Sequence, residues 1–231
     1  GMANSALFGG GRDLAENIED AIVRLGVGAV LELCYTVELP GCINVPQTLG
    51  QTQYWKHGLA VAILSRELGK KVLTDPEELN SCYLAGLVHD IGLLVYDYLI
   101  PEQYNQFLSH TDFHASDQSL ETLEKNFFGM GHSELGAAYL KEWWPVSQKV
   151  VEATAAHIES GLTKNQPPNL MRLVCTANQI ANEYGLGHSI ETREKSNSDE
   201  SYLEALNMTR EEMDELVDWT QIGLLAAESV L

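Results

Sequence analysis

Basic residues are scarce: 14 Lys and Arg stand against 33 Asp and Glu, leaving the 231-residue chain with a formal net charge of −19. A field of that sign repels nucleic-acid phosphates and anionic lipid surfaces unless a local basic patch overrides it, and the sequence has no such patch. Long apolar runs are missing too. The longest, such as Leu59 to Leu64 and Ile91 to Val95, fall far short of the roughly 20 residues that span a bilayer. No basic segment followed by an apolar run reads as a secretory signal. These absences predict a cytoplasmic protein with no nucleic-acid partner and no membrane span. Cys34, Cys42, Cys82 and Cys175 stand too far apart to form a CxxC pair, and a reducing compartment would keep them as thiols, expected as small core residues. Period-two alternation is also absent over any useful length, which argues against a sheet.

What is present is helical periodicity over a chain that is 45% hydrophobic, enough for a real core. Ile18, Ala21, Ile22 and Leu25 follow the spacing of one helix face, and Gly26 and Gly28 interrupt it before a second apolar run to Val37. That pattern predicts a helical hairpin. Pro40, Gly41 and Pro46 make Leu39 to Thr48 a loop. Gln51 to Leu68 reads as a helix with Trp55, Leu59, Ala62, Ile63 and Leu68 inward and Gly69-Lys70-Lys71 as its stop. Asp75-Pro76 opens the next, with aspartate as N-cap and proline in the first turn, predicted to run unbroken through Leu87 and Ile91 to about Leu99.

Further helices are predicted at Glu102 to Ser109, Leu120 to Phe127, His132 to Trp144, Pro145 to Ile158 and Asn169 to Tyr184, bounded by proline or glycine. After a polar stretch from 187 to 201, Met208-Thr209-Arg210-Glu211-Glu212 carries the capping-box pattern and opens a last helix to about Ser229. The expectation is an all-α protein with a helical domain over 1–186 and a polar linker with a helical appendage over 187–231. The acidic run Glu211, Glu212, Asp214, Glu215 and Asp218 reads as a solvated helix face.

Chemistry-bearing residues concentrate in the seven histidines. His89 directly precedes Asp90 in Leu-Val-His-Asp-Ile-Gly. Neighbouring helix residues diverge by about 100°, so both reach one metal only if their helix crosses the site obliquely. His57, His132 and His157 lie on three other predicted helices and could complete a set. Imidazole nitrogens with a carboxylate suit zinc, manganese, iron or nickel, with open positions for a water or a phosphate. Taken singly, each ring is equally a half-buried histidine with one backbone hydrogen bond. His110 and His114 lie in a polar stretch and read as surface residues.

Six ordered blocks carry a resemblance. They are Ala3-Asn4-Ser5-Ala6, Glu19 to Gly26, Tyr54-Trp55-Lys56-His57, Ala85 to Gly92, Gly131 to Ala137, and Ala153-Thr154-Ala155-Ala156-His157, ending near Ala177-Asn178. In this order they are similar to the HDOD domain, a branch of the HD superfamily, over about three quarters of the chain. The resemblance implies an HD-domain-like multi-helix bundle and a bacterial signalling module. It also implies that His57, His89 and Asp90 hold the first three positions of the superfamily's metal motif, and that His132 and His157 match the extra histidines of its two-metal members.

Three positions depart from that pattern. The motif's closing aspartate falls on Asn178, which offers an oxygen but no charge. Ile158 stands where a paired histidine would follow, and Leu93 where the two-metal branch has lysine. The family's N-terminal helices are also expected to be missing, which would leave the face of Ile18, Ile22 and Leu25 to a second copy, a homodimer. Beside a bland reading, a scaffold whose histidines merely satisfy core hydrogen bonds, two functional expectations follow. One is a regulatory module that binds a signalling protein or small ligand without turnover. The other is a metal-dependent phosphohydrolase of a phosphomonoester or phosphodiester, with Lys56, Arg66, Lys125 and Arg172 as candidate phosphate contacts.

Overall fold

The computed structural model describes residues 28, 31, 32, 34, 35, 50–111, 118–188 and 201–227. Ten helices can be delimited among them, and no strand occurs among the described residues. They are α1 (Gln51–Val72), α2 (Pro76–Val88), α3 (Ile91–Leu99), α4 (Pro101–His110), α5 (Leu120–Phe128), α6 (His132–Trp143), α7 (Gln148–Ala156), α8 (Leu170–Glu183), α9 (Ser201–Leu206) and α10 (Arg210–Ala227). The bundle is all-α, as the periodicity predicts. The hairpin expected around Ile18 to Val37, the loop to Thr48, the apolar face proposed for a second copy, Cys42 and His114 lie outside the described residues, apart from the helical positions 28, 31, 32, 34 and 35.

α1 is the central element: it packs against α2, α8 and α10, with Trp55, Leu59, Ile63, Leu64 and Leu68 wholly buried. α2, α7 and α8 complete one layer around it, while α3 packs on α6 and α6 on α7. α10 covers α1 with Met213, Val217 and Leu224. No single helix among the described residues is long and apolar enough to cross a membrane; α2 and α3 together pass on composition, but they are bent by 44° and lie in the core.

The local signals in the sequence explain the helix ends. Asp75 accepts the amide of Glu77 at 3.0 Å with Pro76 following, and Ser119, Ser147 and Asn169 cap α5, α7 and α8 in the same way. Thr209 and Glu212 form the reciprocal capping box: Glu212 N donates to Thr209 Oγ1 at 3.2 Å and Thr209 N to Glu212 Oε2 at 2.9 Å.

Four expectations need correction. α1 runs through Gly69 to Val72, because Gly69 packs against Cys82 and Leu173 inside the bundle rather than ending a turn. The helix opened by Asp75 breaks at His89–Asp90, giving α2 and α3. A short helix, α9, occupies 201–206, buried through Tyr202, Leu203 and Leu206. Cys82 and Cys175 are buried thiols, but Cys34 is exposed.

Two close approaches fix the site. An added Cβ on Gly86 of α2 would lie 2.7 Å from Ala62 Cα of α1. One on Gly92 of α3 would lie 1.9 Å from His132 O and 2.9 Å from Gly136 N of α6. Only a missing side chain lets these backbones meet. They draw His57 toward His89 and His132 toward Asp90.

Candidate metal centre

Asp90 is the hub. It occupies the N-cap position of α3 but makes no capping bond, and its carboxylate, 6% exposed, turns into the bundle. Five histidines bring Nε2 to it. His89 and His188 lie 3.1 Å from Oδ2, with His57 at 3.6 Å. His157 lies 3.0 Å from Oδ1 and His132 3.7 Å. All five rings are buried. Two triads thus share Asp90: His57 and His89 on one carboxylate oxygen, His132 and His157 on the other.

The outer nitrogens are anchored. His57 Nδ1 donates to Leu186 O at 2.9 Å, His89 Nδ1 to Gly86 O at 2.7 Å and His157 Nδ1 to Thr154 O at 2.7 Å. A carbonyl can only accept, so each Nδ1 carries the proton, and a neutral ring then presents a lone pair at Nε2. His89 and His157 share a device: each is the C-cap residue of its helix and folds its ring back onto the carbonyl three residues earlier. At residue 89 this is the carbonyl that would accept Asp90 N in a continuing helix, so ring and amide compete for it where the helix breaks. The break also answers how two adjacent residues face one point: His89 ends one helix and Asp90 begins another.

His132, the first residue of α6, is anchored by charge. Its Nδ1 donates to Glu124 Oε2 at 2.6 Å and its backbone N to the same oxygen at 2.7 Å. Tyr104 OH donates to Glu124 Oε1 at 2.8 Å. Glu121 accepts Ser133 N at 3.1 Å and Ser133 Oγ at 2.8 Å, and pairs with Lys125 at 3.0 Å.

Electrostatics follow from this layout. Where protons rather than an ion sit on the inward Nε2 atoms, burial alone would raise the Asp90 carboxyl, but the charge of His89 and hydrogen bonds from His157, His188 and His89 outweigh it and hold it well below the usual carboxylate range. Burial lowers His132, but the charge and hydrogen bond of Glu124, then Asp90 and Glu121, carry it up to about 9. Burial and the neighbouring His89 and His132 pull His157 down despite Asp90. Burial and Glu124 push Tyr104 far up, so it stays a donor.

With Nδ1 carrying the proton of each neutral ring, the facing Nε2 atoms need a shared proton or a cation between them. His57 Nε2 and His89 Nε2 stand 3.2 Å apart, and His132 Nε2 and His157 Nε2 3.3 Å apart. Acceptors crowded at such distances around a carboxylate repel unless a cation lies among them. Metal–ligand bonds of about 2.1 Å separate neighbouring ligand atoms by about 3.0–3.4 Å, which the separations within each triad approximate. The buried His/Asp/Glu groups can therefore hold a metal.

All five residues expected as ligands, His57, His89, Asp90, His132 and His157, come together. Asn178 is buried on α8, and its Oδ1 accepts Asn182 Nδ2 at 3.2 Å. Leu93 is fully buried and Ile158 partly so. His110 is on the surface as expected, its Nδ1 donating to Gln106 O at 2.8 Å. Sequence reasoning missed His188, Glu121, Glu124 and Tyr104. His188 follows Gly185-Leu186-Gly187 beside a polar stretch, without periodicity to mark it; its one signal was being a histidine with no assigned role.

The HDOD domain family matches residues 1–160. An uncharacterized protein of Treponema pallidum (strain Nichols) is 25% identical over 159 residues, covering 68% of this chain and 29% of that protein. The chain thus spans less than a third of that relative's length. Among solved structures, an HDOD domain protein of unknown function from Geobacter sulfurreducens aligns with TM-score 0.69 at 20% identity, over 99% of this chain and 78% of its own. A Marinobacter aquaeolei VT8 protein named for signal transduction aligns at 0.70 and 20%, over 99% and 50%. A Shewanella amazonensis SB2B protein named as a phosphohydrolase aligns at 0.67 and 19%, over 99% and 81%. At these identities the structural likeness is one of fold, and the family match over more than half the chain carries the assignment: the protein belongs to the HDOD domain family.

Proposed function

We propose that this chain is a regulatory HDOD module that holds a divalent transition metal around Asp90 and acts by binding a signalling protein or small ligand rather than by turnover. The observation that carries the reading is the convergence of Nε2 atoms, with Nδ1 locked outward, on one buried carboxylate. His57 and His89 would hold the ion on the Oδ2 side and His132 and His157 on the Oδ1 side. When bound, such an ion is a Lewis acid that can bind an anionic group or lower the pKa of a water. The mixed imidazole and carboxylate set suits zinc, manganese, iron or nickel.

The surroundings favour binding over hydrolysis. Arg66 is engaged by Glu32 and Glu67, Lys125 by Glu121, and Arg172 donates to Pro167 O at 3.0 Å. Leu93 offers no charge where a phosphate would need one. The name of the Marinobacter aquaeolei relative points the same way. A phosphohydrolase is the second reading, favoured by an open cleft of about 350 Å³ lined by Lys56, a cation suited to a phosphate, and by Leu186, whose carbonyl holds His57 Nδ1.

One experiment separates them: metal content by mass spectrometry on protein purified without chelator or metal-affinity resin, with a phosphomonoester and phosphodiester screen, beside a His89→Ala, Asp90→Ala double variant. The expected result is about one or two transition ions per chain, lost in the variant, and no turnover. A folded wild-type protein without metal sinks the metal centre. Turnover that disappears in the variant sinks the regulatory reading in favour of the hydrolase.

A further inference from the structure

Glu121 and Glu124 lie one turn apart on α5, 3% and 0% exposed, and both aim at the start of α6. Each accepts a backbone amide there, from Ser133 and His132 respectively. Capping alone does not call for two buried carboxylates: a serine or aspartate at 131 would cap α6 with far less desolvation. Position 131 is a glycine, and a Cβ there would strike the Glu121 carboxylate. The two glutamates also differ. Glu121 is taken up by Ser133 and Lys125, with His132 Nδ1 3.3 Å away, whereas Glu124 Oε2 receives that Nδ1 at 2.6 Å and its other oxygen is fixed by Tyr104. His57, His89 and His157 all rest their outer nitrogens on neutral carbonyls.

We propose that Glu124, acting through His132, supplies the second negative charge that balances a dication at the Asp90 cluster, with Tyr104 holding the carboxylate in register. The proposal rests on the metal reading above. Among the described residues, Asp90 is the one carboxylate in reach of the inward Nε2 atoms, a single negative charge against two positive. Neutral Asn178 cannot add another. A carboxylate on the far nitrogen orients the imidazole and strengthens it as a ligand, so charge reaches the ion one residue removed. Glu124 touches no ion; it is a positioning residue.

The test is zinc and cobalt affinity of the full chain, by competition with a chromophoric chelator, for wild type, Glu124→Gln and Glu121→Gln. Glutamine at 124 can still accept the Nδ1 proton but carries no charge. Its affinity is expected to fall about 10- to 100-fold with a shifted cobalt spectrum, and that of Glu121→Gln by less than about threefold. Wild-type affinity in Glu124→Gln, or equal losses in both variants, overturns the proposal. Absence of metal in the wild type is a separate result that overturns the metal reading itself. Should Glu124→Gln fail to fold, the zinc-loaded wild type decides: in ¹⁵N-histidine-labelled protein, a retained, far-downfield His132 Nδ1 proton is expected, and its absence overturns the proposal.

Discussion

Replacing Gly92 with alanine puts a methyl group where α3 and α6 touch backbone to backbone. The added carbon would sit 1.9 Å from His132 O, 2.7 Å from its carbonyl carbon and 2.9 Å from Gly136 N. Ordinary contact needs roughly 3.5 Å, so the two helices must part by about 1.5 Å. No flexible side chain can absorb that shift, and Gly136, whose own Cβ would lie 2.8 Å from Gly92 N, shows the approach is mutual. Overpacking of this kind costs about 1–3 kcal/mol, and with backbone on both sides the upper end is expected. Urea denaturation of metal-free protein measures it, with Gly129→Ala as comparison. Gly129 has φ 84° and no neighbour within 4 Å, so that variant carries only the left-handed penalty of about 1–2 kcal/mol. Parting the helices also widens the 3.7 Å gap between His132 and Asp90, so metal affinity should fall in step. A Gly92→Ala protein within about 0.5 kcal/mol of wild type, or no costlier than Gly129→Ala, would refute the claim that this contact positions His132.

Two further outcomes are expected. His132 titrates at about 9 when folded against about 6.5 unfolded, so between those values the metal-free native state holds the extra proton. Its stabilisation, on the order of 3 kcal/mol at most, is present below about pH 6.5 and is lost as pH rises through 9; a chelated sample whose stability is flat over that window contradicts the ion pair with Glu124. Thr209→Ala removes the capping box of α10 and should cost about 1 kcal/mol, read as a lower urea midpoint; no change would mean that the α10 start contributes nothing to global unfolding.

Much of the fold was legible because local chemistry marks it. Asp75-Pro76, Ser119, Ser147, Asn169 and Thr209 with Glu212 all stand at the helix starts they signal. The break at His89–Asp90 was not legible, since there is no glycine or proline at the junction; what marks it is the bond of the His89 ring to Gly86 O, which only the fold displays. Glu121 and Glu124 read as the polar stripe of an amphipathic helix, and nothing local says that α6 arrives end-on to bury them. His57, His89, Asp90, His132 and His157 were found through ordered motif blocks rather than through spacing. His188 belongs to no block and is joined to Asp90 only by the fold.

The two C-cap histidines and the uncapped Asp90 share a consequence of another kind. α2 ends, α3 begins, α6 begins and α7 ends within one carboxylate's reach. Such a place is less a pocket than a knuckle: a change in what the imidazoles grip is delivered at the tips of four rods, where the lever arm is longest. On the metal reading, an ion gained or lost there would bear on the angle between helix pairs, with no loop between the chemistry and the shape.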